Sequence, residues 1–442
     1  MTRMKDSGIE WIGEVPEEWG ITKFKYFLDT NKGLTITKEN LMGNGIPVIN
    51  YGQIHSKYGR SVSTVRDELP QVSTNYLKFK QSLLNKGDFV FADTSEDIEG
   101  SGNFSTRIDD NGELFAGYHT IKAKLKNALE HDFRYFMHYF DSMAFRKQVQ
   151  NKVSGIKVYS VTQSILQETC LILPSFIEQQ QIADFLDKKV AQLDKVKSLL
   201  EEQIKTLEDY RQSLIYETVT KGLDKTVPLK DSGVDWIGQI PEGWEVKPIK
   251  YLSEFVNGYA FNSSDFTREN TEVKVIRIGD FTQAGIDFAS AVFLNNVNIE
   301  NLSHFRIGKQ QILIAMSGAT VGKIAYVESN PKNANLINQR VGIIKSNIGK
   351  YLYYWLYTTS FTEYILLNSN GSAQPNISSG QIGNFLSPLP SIEEANEIAD
   401  FLDKKAEQIN QMIAIKKEQI GNINKQRQTL IYDYVTGKRR TQ

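Results

Sequence analysis

The chain has 442 residues, of which 40% are hydrophobic and 23% are charged, and its formal net charge is −1. This composition is typical of a globular protein with two to four folding units. A protein that coats nucleic acid without sequence preference would be strongly basic, so the near-neutral charge argues against that class, although it allows a specific reader with its positive charge on one face.

Cysteine content and hydropathy point to a compartment. A single cysteine, Cys170, excludes a disulfide framework and favours the cytoplasm. The polar N-terminus is not expected to be a signal peptide. No run of about 18 apolar residues occurs, so no membrane span is expected.

A duplicated unit organises the chain. The pattern Asp-Ser-Gly-x-x-Trp-Ile-Gly-x-x-Pro-x-x-Trp occupies residues 6–19 and returns at 231–244. Leu-Pro-Ser, followed by Ile-Ala-Asp-Phe-Leu-Asp-Lys-Lys, lies within 173–189 and again within 389–405. Long blocks that return in the same order indicate one structural unit used twice.

Each unit has a loop-rich first part and a helical second part. Segments of about 1–172 and 228–387 are rich in glycine, aromatic and β-branched residues, which predicts strands and turns with a few helices. Segments of about 176–219 and 392–435 contain neither glycine nor proline apart from Gly421, which predicts two long helices.

The helical segments carry a heptad repeat. Apolar residues at a mean spacing of 3.5 indicate two helices packed along a seam, whereas separate surface helices would show a wider apolar stripe. Lys197 and Arg211 interrupt the seam of the first helix. The apolar seam positions are Ala183, Leu186, Val190, Leu193, Leu200, Ile204, Leu207 and Leu214, then Ala399, Leu402, Ala406, Ile409, Ile413, Ile420, Ile423 and Leu430.

These patterns predict an α+β (mixed α/β) protein in which two duplicated globular modules are separated and followed by long helices. The helices are expected to form an antiparallel coiled coil, which would relate the two units by a pseudo-two-fold axis. Each helix would span roughly 65 Å at 1.5 Å per residue, and a separation of roughly 35–70 Å would place two half-sites on one face of B-DNA. The predicted domains are 1–175, the spacer helix 176–220, 221–388, and the C-terminal spacer helix 389–442.

Motifs for catalysis are mostly absent. Residues 317–324 resemble a phosphate loop, but only three residues separate the glycines, and Ile324 stands where Ser or Thr would hold Mg²⁺; a tight turn into a strand is predicted instead. Asp93, Glu96 and Asp97 could bind a metal, but no nuclease partner motif follows them, so a loop or capping role is predicted. Residues 330–332 do not match the Asn-Pro-Pro-aromatic motif of an adenine methyltransferase.

The remaining reactive residue types favour structural roles. The five histidines show no metal-ligand spacing. Cys170 lies in an apolar run and is predicted to be a buried small hydrophobe rather than a nucleophile. Four tryptophans are predicted to be packing anchors rather than base-stacking platforms: Trp11, Trp19, Trp236 and Trp244.

With catalytic motifs mostly absent, the remaining interpretation is that loop residues of both modules recognise DNA. Reading a base edge uses Arg or Lys for guanine and Asn or Gln for adenine, whereas phosphate contacts, for which Lys157 and Lys323 are candidates, position the protein without specifying sequence. The middles of the two modules differ while their ends match, as two independent specificities would require. For each residue singly, a role as a solvated loop residue stays open. The candidate DNA-contacting residues are Tyr51, Gln53, Lys152, Lys157, Tyr159, Arg277, Lys323, Asn338, Gln339, Arg340, Gln374 and Asn376.

The duplicated opening pattern resembles the N-terminal signature of each half of the specificity subunits of Type I restriction–modification systems. The segment 371–377, Gly-Ser-Ala-Gln-Pro-Asn-Ile, is also similar to that family, and the first half departs from it at 154–159, which lacks Gln-Pro-Asn. Further similar segments are 317–323 and 337–341, with 92–97 and 116–120 as their first-half counterparts.

The resemblance implies that each module is a target-recognition domain for one half of an interrupted DNA sequence. It also implies that the helices set the gap and dock two modification (methyltransferase) subunits, which motor-nuclease restriction subunits then join. This chain would be non-catalytic, with S-adenosylmethionine, ATP and Mg²⁺ on the partner subunits and no cofactor of its own. Two alternatives stay open: a self-contained DNA methyltransferase or nuclease, and a coiled-coil adaptor that never touches DNA.

Overall fold

A computed structural model gives the fold of the protein. By contact, the chain divides into two compact units, Met1–Leu200 with Lys417–Gln442, and Glu201–Lys416. Each unit contains one strand-rich module and parts of two long helices, which confirms the predicted mixed fold class. The structure describes residues 3–155, 157–269, 271–282, 285–295, 299–369 and 375–441.

The two long helices are Phe176–Lys221 and Ile392–Val435, called here the first and second spacer helices. In the first unit, Asp194 pairs with Arg427, and the earlier Phe185 packs on the later Tyr434, with ring centroids 4.4 Å apart. This order of contacts is antiparallel. The second unit shows the same order, because Gln203 contacts Lys416 and the later Arg211 contacts the earlier Asn410. The predicted antiparallel coiled coil is therefore confirmed.

The predicted heptad seam matches the burial pattern. Between residues 191 and 210, only the five seam positions escape full exposure: Leu193, Lys197, Leu200, Ile204 and Leu207. Polar seam residues find partners on the opposite helix, since Arg211 Nη1 donates to Asn410 Oδ1 at 2.8 Å and Lys416 Nζ donates to Gln203 Oε1 at 2.7 Å. Such paired polar residues fix the register of a coiled coil.

Leu200→Glu should destabilise the coiled coil by roughly 1–3 kcal/mol, because the new carboxylate would lose water at a half-buried seam position. The neighbouring Leu199 is 47% exposed, so Leu199→Glu is the matched control and should change the free energy of unfolding by less than about 0.5 kcal/mol. Urea unfolding of both full-length variants measures the difference. Equal free energies of unfolding for the two variants would contradict the assignment of Leu200 to the seam.

The first module is built on a five-stranded, mostly antiparallel sheet whose strands are, in spatial order, Leu28–Lys32, Thr120–Leu125, Phe89–Ala92, Phe104–Arg107 and Ser61–Val62. A three-stranded sheet has the order Phe115–Ala116, Ile46–Ile49 and Gln71–Val72. Two-stranded pairs are Met4–Asp6 with Glu14–Pro16, Gly20–Lys23 with Cys170–Leu173, and Thr94–Ser95 with Tyr159–Ser160. The helices are Phe24–Phe27, Tyr51–Ser56, Phe133–Asp141, Met143–Gln150 and Gln163–Gln167, with 3-10 turns Lys38–Asn40, Thr74–Lys78 and Lys80–Ser82.

The second module has a four-stranded antiparallel central sheet whose strands are, in spatial order, Glu254–Asn257, Val341–Lys345, Gln311–Ala315 and Ile324–Val327. A second sheet has the order Phe266–Thr267, Val292–Leu294, Val273–Ile276 and Ala334–Ile337. Two-stranded pairs are Leu229–Asp231 with Gln239–Pro241, Glu245–Pro248 with Leu386–Leu389, and Phe281–Thr282 with Gly285–Ile286. The helices are Gly349–Leu356, Thr359–Asn368 and Ser379–Gly383, with 3-10 turns Ile249–Tyr251, Ser263–Asp265, Ile278–Asp280, Glu300–Phe305 and Gly318–Thr320.

Buried tyrosines anchor each module to the spacer helices of its own unit. The Tyr135 hydroxyl lies 3.0 Å from the carbonyl oxygen of Ile172 and 3.1 Å from that of Val435. The Tyr351 hydroxyl lies 2.8 Å from the carbonyl oxygen of Val219 in the second unit. A fully buried hydroxyl needs such a partner, so these contacts fix the module on its helices.

The tryptophans divide between core and surface. Trp19 and Trp244 are buried, and their Nε1–H groups donate to Glu178 and Glu394, in the first turns of the two spacer helices. These two are the packing anchors that the sequence predicts. Trp11 is half-buried, and Trp236 is 40% exposed, so the prediction is too strong for that residue.

A buried histidine joins the first module to its spacer helix. His138 Nδ1 lies 3.1 Å from Arg60 Nη1, and His138 Nε2 lies 2.8 Å from Asp187 Oδ1. Because a guanidinium can only donate, Nδ1 accepts, and the neutral imidazole carries its proton on Nε2 toward the carboxylate. Burial lowers the pKa of His138 despite that carboxylate. In the second unit, Tyr354 donates to Asp403 at 2.7 Å instead.

The first unit should lose stability as the pH falls below about 6.5, the pKa of an unfolded histidine. The folded pKa of His138 is lower, so the unfolded chain binds a proton first, at a cost of up to about 1.4 kcal/mol per pH unit. The partner Asp187 and the nearby Asp141 also have lowered pKa values, so they stay ionised in this window. Urea unfolding from pH 8 to 5.5 should show a smaller slope for His138→Gln, with His131, whose pKa burial also lowers, accounting for the rest. An unchanged slope would contradict this assignment.

Candidate nucleic-acid interface

Loops of the second module meet at one end of its central sheet. The backbone N–H of Met316 donates to the Arg340 carbonyl at 2.9 Å, and the N–H of Ile377 donates to the Met316 carbonyl at 3.0 Å. Thr320 Oγ1 donates to the Ile278 carbonyl at 3.0 Å. Residues 277–280, 316–323, 338–340 and 375–377 are called here the second loop cluster.

This cluster brings together most of the candidate residues of the second module. Arg340 Nη1 donates to Asn376 Oδ1 at 3.3 Å, and Asn338 Oδ1 accepts the N–H of Gln339 at 2.6 Å. The predicted residue Gln374 lies outside the described residues. The pairing of Arg340 with Asn376 joins two loops that are far apart in the sequence.

The cations of the second loop cluster differ in whether an acidic side chain already compensates their charge. Arg277 is partly engaged, because its Nη2 lies 3.8 Å from the buried carboxylate of Asp280, while its side chain is 41% exposed and its buried Nε has no hydrogen-bond partner among the described residues. Arg340 and Lys323 are exposed and form no ion pair within the parts of the chain that the structure describes. Their positive charge is therefore available to an anionic ligand.

The first module builds the same arrangement from different residues. The N–H of Asp93 donates to the His119 carbonyl at 3.1 Å, and the N–H of Val161 donates to the Asp93 carbonyl at 2.8 Å. Ser160 pairs with Thr94 as Asn376 pairs with Ser317 in the second module. Residues 50–56, 93–100, 117–119 and 157–160 are called here the first loop cluster.

The candidate residues of the first module are not all free. The Tyr51 ring packs 5.3 Å from that of His119, and Lys157 is exposed. Gln53 Oε1 accepts the backbone N–H of Asn50 at 2.9 Å, which caps the helix Tyr51–Ser56. Lys152 Nζ donates to the Glu168 carbonyl at 3.1 Å, so the structure does not place its ammonium in the first loop cluster.

Tyr159 lies half-buried in the strand Tyr159–Ser160, which borders the first loop cluster. Beside it opens a cleft of about 560 Å³, lined in part by Tyr51, Thr94 and Asp97. His55 also lines the cleft, with Nε2 2.8 Å from the Thr94 carbonyl and Nδ1 accepting from Asn103 Nδ2 at 2.9 Å. Both ring nitrogens of His55 therefore have hydrogen-bond partners within the first module.

Sequence reasoning misses two residues of the first loop cluster. Tyr118 packs 5.8 Å from Tyr51, and the side chain of His119 is 58% exposed with Nδ1 3.2 Å from Asp93 Oδ1. His119 has a φ of 54°, the left-handed region that few residues with side chains adopt. Only the family-like segment 116–120 pointed to this loop.

The catalytic motifs that the sequence discounts have structural roles. The segment 317–324 forms the turn Gly318–Thr320 and enters the strand Ile324–Val327, as predicted. Asp97 Oδ1 accepts the N–H of Gly100 at 2.5 Å, as a capping residue does. Cys170 lies in a strand paired with Gly20–Lys23 and is half-buried rather than buried as the sequence predicts. The described residues contain no group of three His, Cys, Asp or Glu side chains that could hold a metal.

In the part of the chain that the structure describes, no helix combines the length and hydropathy needed to cross a bilayer.

Comparison with known proteins identifies relatives over nearly the whole chain. The family model described as Type I restriction modification DNA specificity domain matches residues 16–208 and 241–422. The chain is 25% identical to the Type I restriction enzyme MjaVIII specificity subunit of Methanocaldococcus jannaschii, over 96% of this chain and 93% of that protein. It is 26% identical to the Type I restriction enzyme EcoBI specificity subunit of Escherichia coli, over 64% and 62% of the two chains.

A solved structure supports the fold. It comes from work on complex assembly and conformational transition of the type I R-M system, and it matches with a TM-score of 0.72 and 15% identity over 96% of this chain and 99% of that chain.

Proposed function

Because this chain belongs to the family of Type I restriction modification DNA specificity domains, we propose that it recognises an interrupted DNA sequence, with one half-site read by each module. Two loop clusters with the same backbone connections but different side chains carry this proposal. A common framework with different side chains is what two independent readers require, because base edges are distinguished by side-chain donors and acceptors.

We assign DNA contact to the candidate residues with exposed or half-buried side chains in the two clusters. Lys157 and Lys323 would contact phosphates, which position the duplex without reading it. Gln53 and Lys152 are engaged within the module and are weaker candidates. The residues assigned to base or sugar contact are Tyr51, Tyr159, Arg277, Asn338, Gln339, Arg340 and Asn376, with Gln374 added from the sequence alone.

The chain would act without catalytic residues of its own, in the cytoplasm, as one component of a larger enzyme. Two modification subunits would dock on the spacer helices and supply S-adenosylmethionine chemistry, while restriction subunits would supply ATP- and Mg²⁺-dependent cleavage. An exposed apolar residue on the first spacer helix, Leu199, and exposed Met412 and Ile415 on the second are candidate docking contacts. An enzyme that modifies a base must extrude it from the duplex, and we assign this step to the modification subunit.

Co-expression with the modification subunit of the same system, followed by mapping of methylated adenines, tests the proposal. Two short words separated by a fixed gap are the expected result, and exchange of residues 1–172 for another module should then change one word only. Methylation that is random or follows one continuous word would overturn the two-reader assignment. Methylation without the partner would favour an enzyme, and a gel shift absent at every salt concentration would favour an adaptor.

A further inference from the structure

We propose that Arg340 reads a guanine in the half-site of the second module and is a specificity-determining residue of this chain. This assignment rests on the proposed function and deepens it by naming one base. The guanine O6 and N7 atoms in the major groove are acceptors that match the planar donor fork of arginine.

Arg340 occupies a defined reading position. It directly precedes the strand Val341–Lys345, and its carbonyl accepts the N–H of Met316, the residue that follows the strand Gln311–Ala315. His119 has the same place in the first module, before the strand Thr120–Leu125, with its carbonyl bound to Asp93. Both side chains are exposed, so the two modules present different chemistry at one equivalent point.

The guanidinium of Arg340 is oriented by one hydrogen bond, and most of its N–H donors stay free. Asn376 Oδ1 accepts from Nη1 at 3.3 Å, and the backbone beside Asn376 is fixed by its bridge to Ser317. An arginine has five N–H donors, so one such contact leaves an edge with two donors free. Fixing a long side chain before binding reduces the entropy lost on contact, which favours a specific role.

The other cations of the second loop cluster fit this role less well. Arg277 lies 3.8 Å from the Asp280 carboxylate, which offsets part of its charge, and its buried Nε is not accessible to a base edge. Lys323 carries a compact charge on a flexible stem, which suits a phosphate but cannot form the two parallel hydrogen bonds of a guanidinium. Among the cations of the second loop cluster that the structure describes, Arg340 is therefore the one best suited to a guanine.

Binding by the complete complex with the modification subunit tests the assignment, on duplexes in which each position of the second word is varied. Arg340→Ala should reduce the preference for guanine at one position by roughly 5- to 150-fold and leave the first word unchanged. Arg340→Gln should shift that preference toward adenine, because Gln pairs with adenine N6 and N7. Arg340→Lys keeps the charge but loses the planar donor fork, so it should retain only part of the preference for guanine.

Two lysine variants separate reading from general affinity. Lys323→Ala should weaken binding to all sequences equally and lower the salt slope by about one unit. Lys332 is exposed in the turn between the strands Ile324–Val327 and Ala334–Ile337, away from the second loop cluster, and Lys332→Ala should change neither quantity. Circular dichroism would check that each variant is folded. If Arg340→Ala does not fold, the most conservative Arg340 variant that does fold tests the assignment.

Each outcome bears on one level of the proposal. A uniform loss of affinity for Arg340→Ala would make Arg340 a phosphate contact and overturn the assignment. A wild-type second word that contains no G·C pair would also overturn it, whereas the two-reader function would stand if the methylated motif were still split. A wild-type complex with no split motif would overturn the function itself and the assignment with it.

Discussion

Asp141→Ala should destabilise the first unit by about 3–5 kcal/mol, the usual range when one partner of a buried ion pair is removed. The carboxylate is buried at the end of the helix Phe133–Asp141. Arg427 Nη2, from the second spacer helix, lies 2.7 Å from Asp141 Oδ2, and Arg60 Nε lies 3.8 Å from the same oxygen. Removal of the carboxylate leaves the two guanidinium groups without this counter-charge, and because both are largely buried, little water can take its place.

The pKa of Asp141 supports this expectation. Burial alone would raise the pKa of the carboxyl, but Arg427 and Arg60 outweigh it, and the net pKa lies below the usual value. The carboxylate is thus ionised in the folded state at neutral pH, and the charge that the substitution removes is one that the folded state requires.

Asp194 provides the matched control. It approaches the same two arginines, with Oδ1 3.1 Å from Arg427 Nε and Oδ2 3.7 Å from Arg60 Nη2, but its side chain is 47% exposed. Asp194→Ala should therefore cost no more than about 1 kcal/mol, as exposed ion pairs do. Urea unfolding with hydrogen-exchange readout of the first unit measures both variants. Equal losses would show that burial of Asp141 does not set the size of its effect.

The coiled coil was the most predictable part of the fold. Heptad spacing is a local property of the sequence, so the seam positions from Leu193 to Leu207 follow directly from it. In the same pattern, Arg427 is a charged residue at a seam position of the second spacer helix, where most seam positions are apolar. Arg427 instead forms an ion pair with Asp141. The two residues are far apart in the sequence and meet only in the folded protein, so no local pattern predicts their contact.

The loop clusters were predictable in part. Residue type singled out Arg340 and Asn376, but their contact depends on the bridge between Ser317 and Asn376, which no local pattern encodes. Gln53 shows the opposite case. An asparagine followed three residues later by glutamine is a capping signal, so its engagement with Asn50 could have been predicted from the sequence.

Trp355→Ala should destabilise the second unit by about 3–5 kcal/mol, the usual range for removal of a large buried aromatic side chain. The indole is fully buried, its ring stacks 5.5 Å from that of Phe385, and Nε1 donates to the Leu386 carbonyl at 3.1 Å. Leu386 begins the strand that leads into the second spacer helix. The substitution removes packing and a hydrogen bond at the same point.

A conservative variant separates the two losses. Trp355→Phe keeps most of the ring but leaves the Leu386 carbonyl without its donor, at a cost of about 1–3 kcal/mol. In the first unit, Tyr139 donates to the Cys170 carbonyl at 2.7 Å in the corresponding place, but Gln148 Nε2 also donates to it at 3.2 Å, so Tyr139→Phe should cost less than Trp355→Phe. Hydrogen exchange of the strand Leu386–Leu389 measures the effect in the second unit. If Trp355→Phe were as damaging as Trp355→Ala, the hydrogen bond rather than the ring would hold this strand in place.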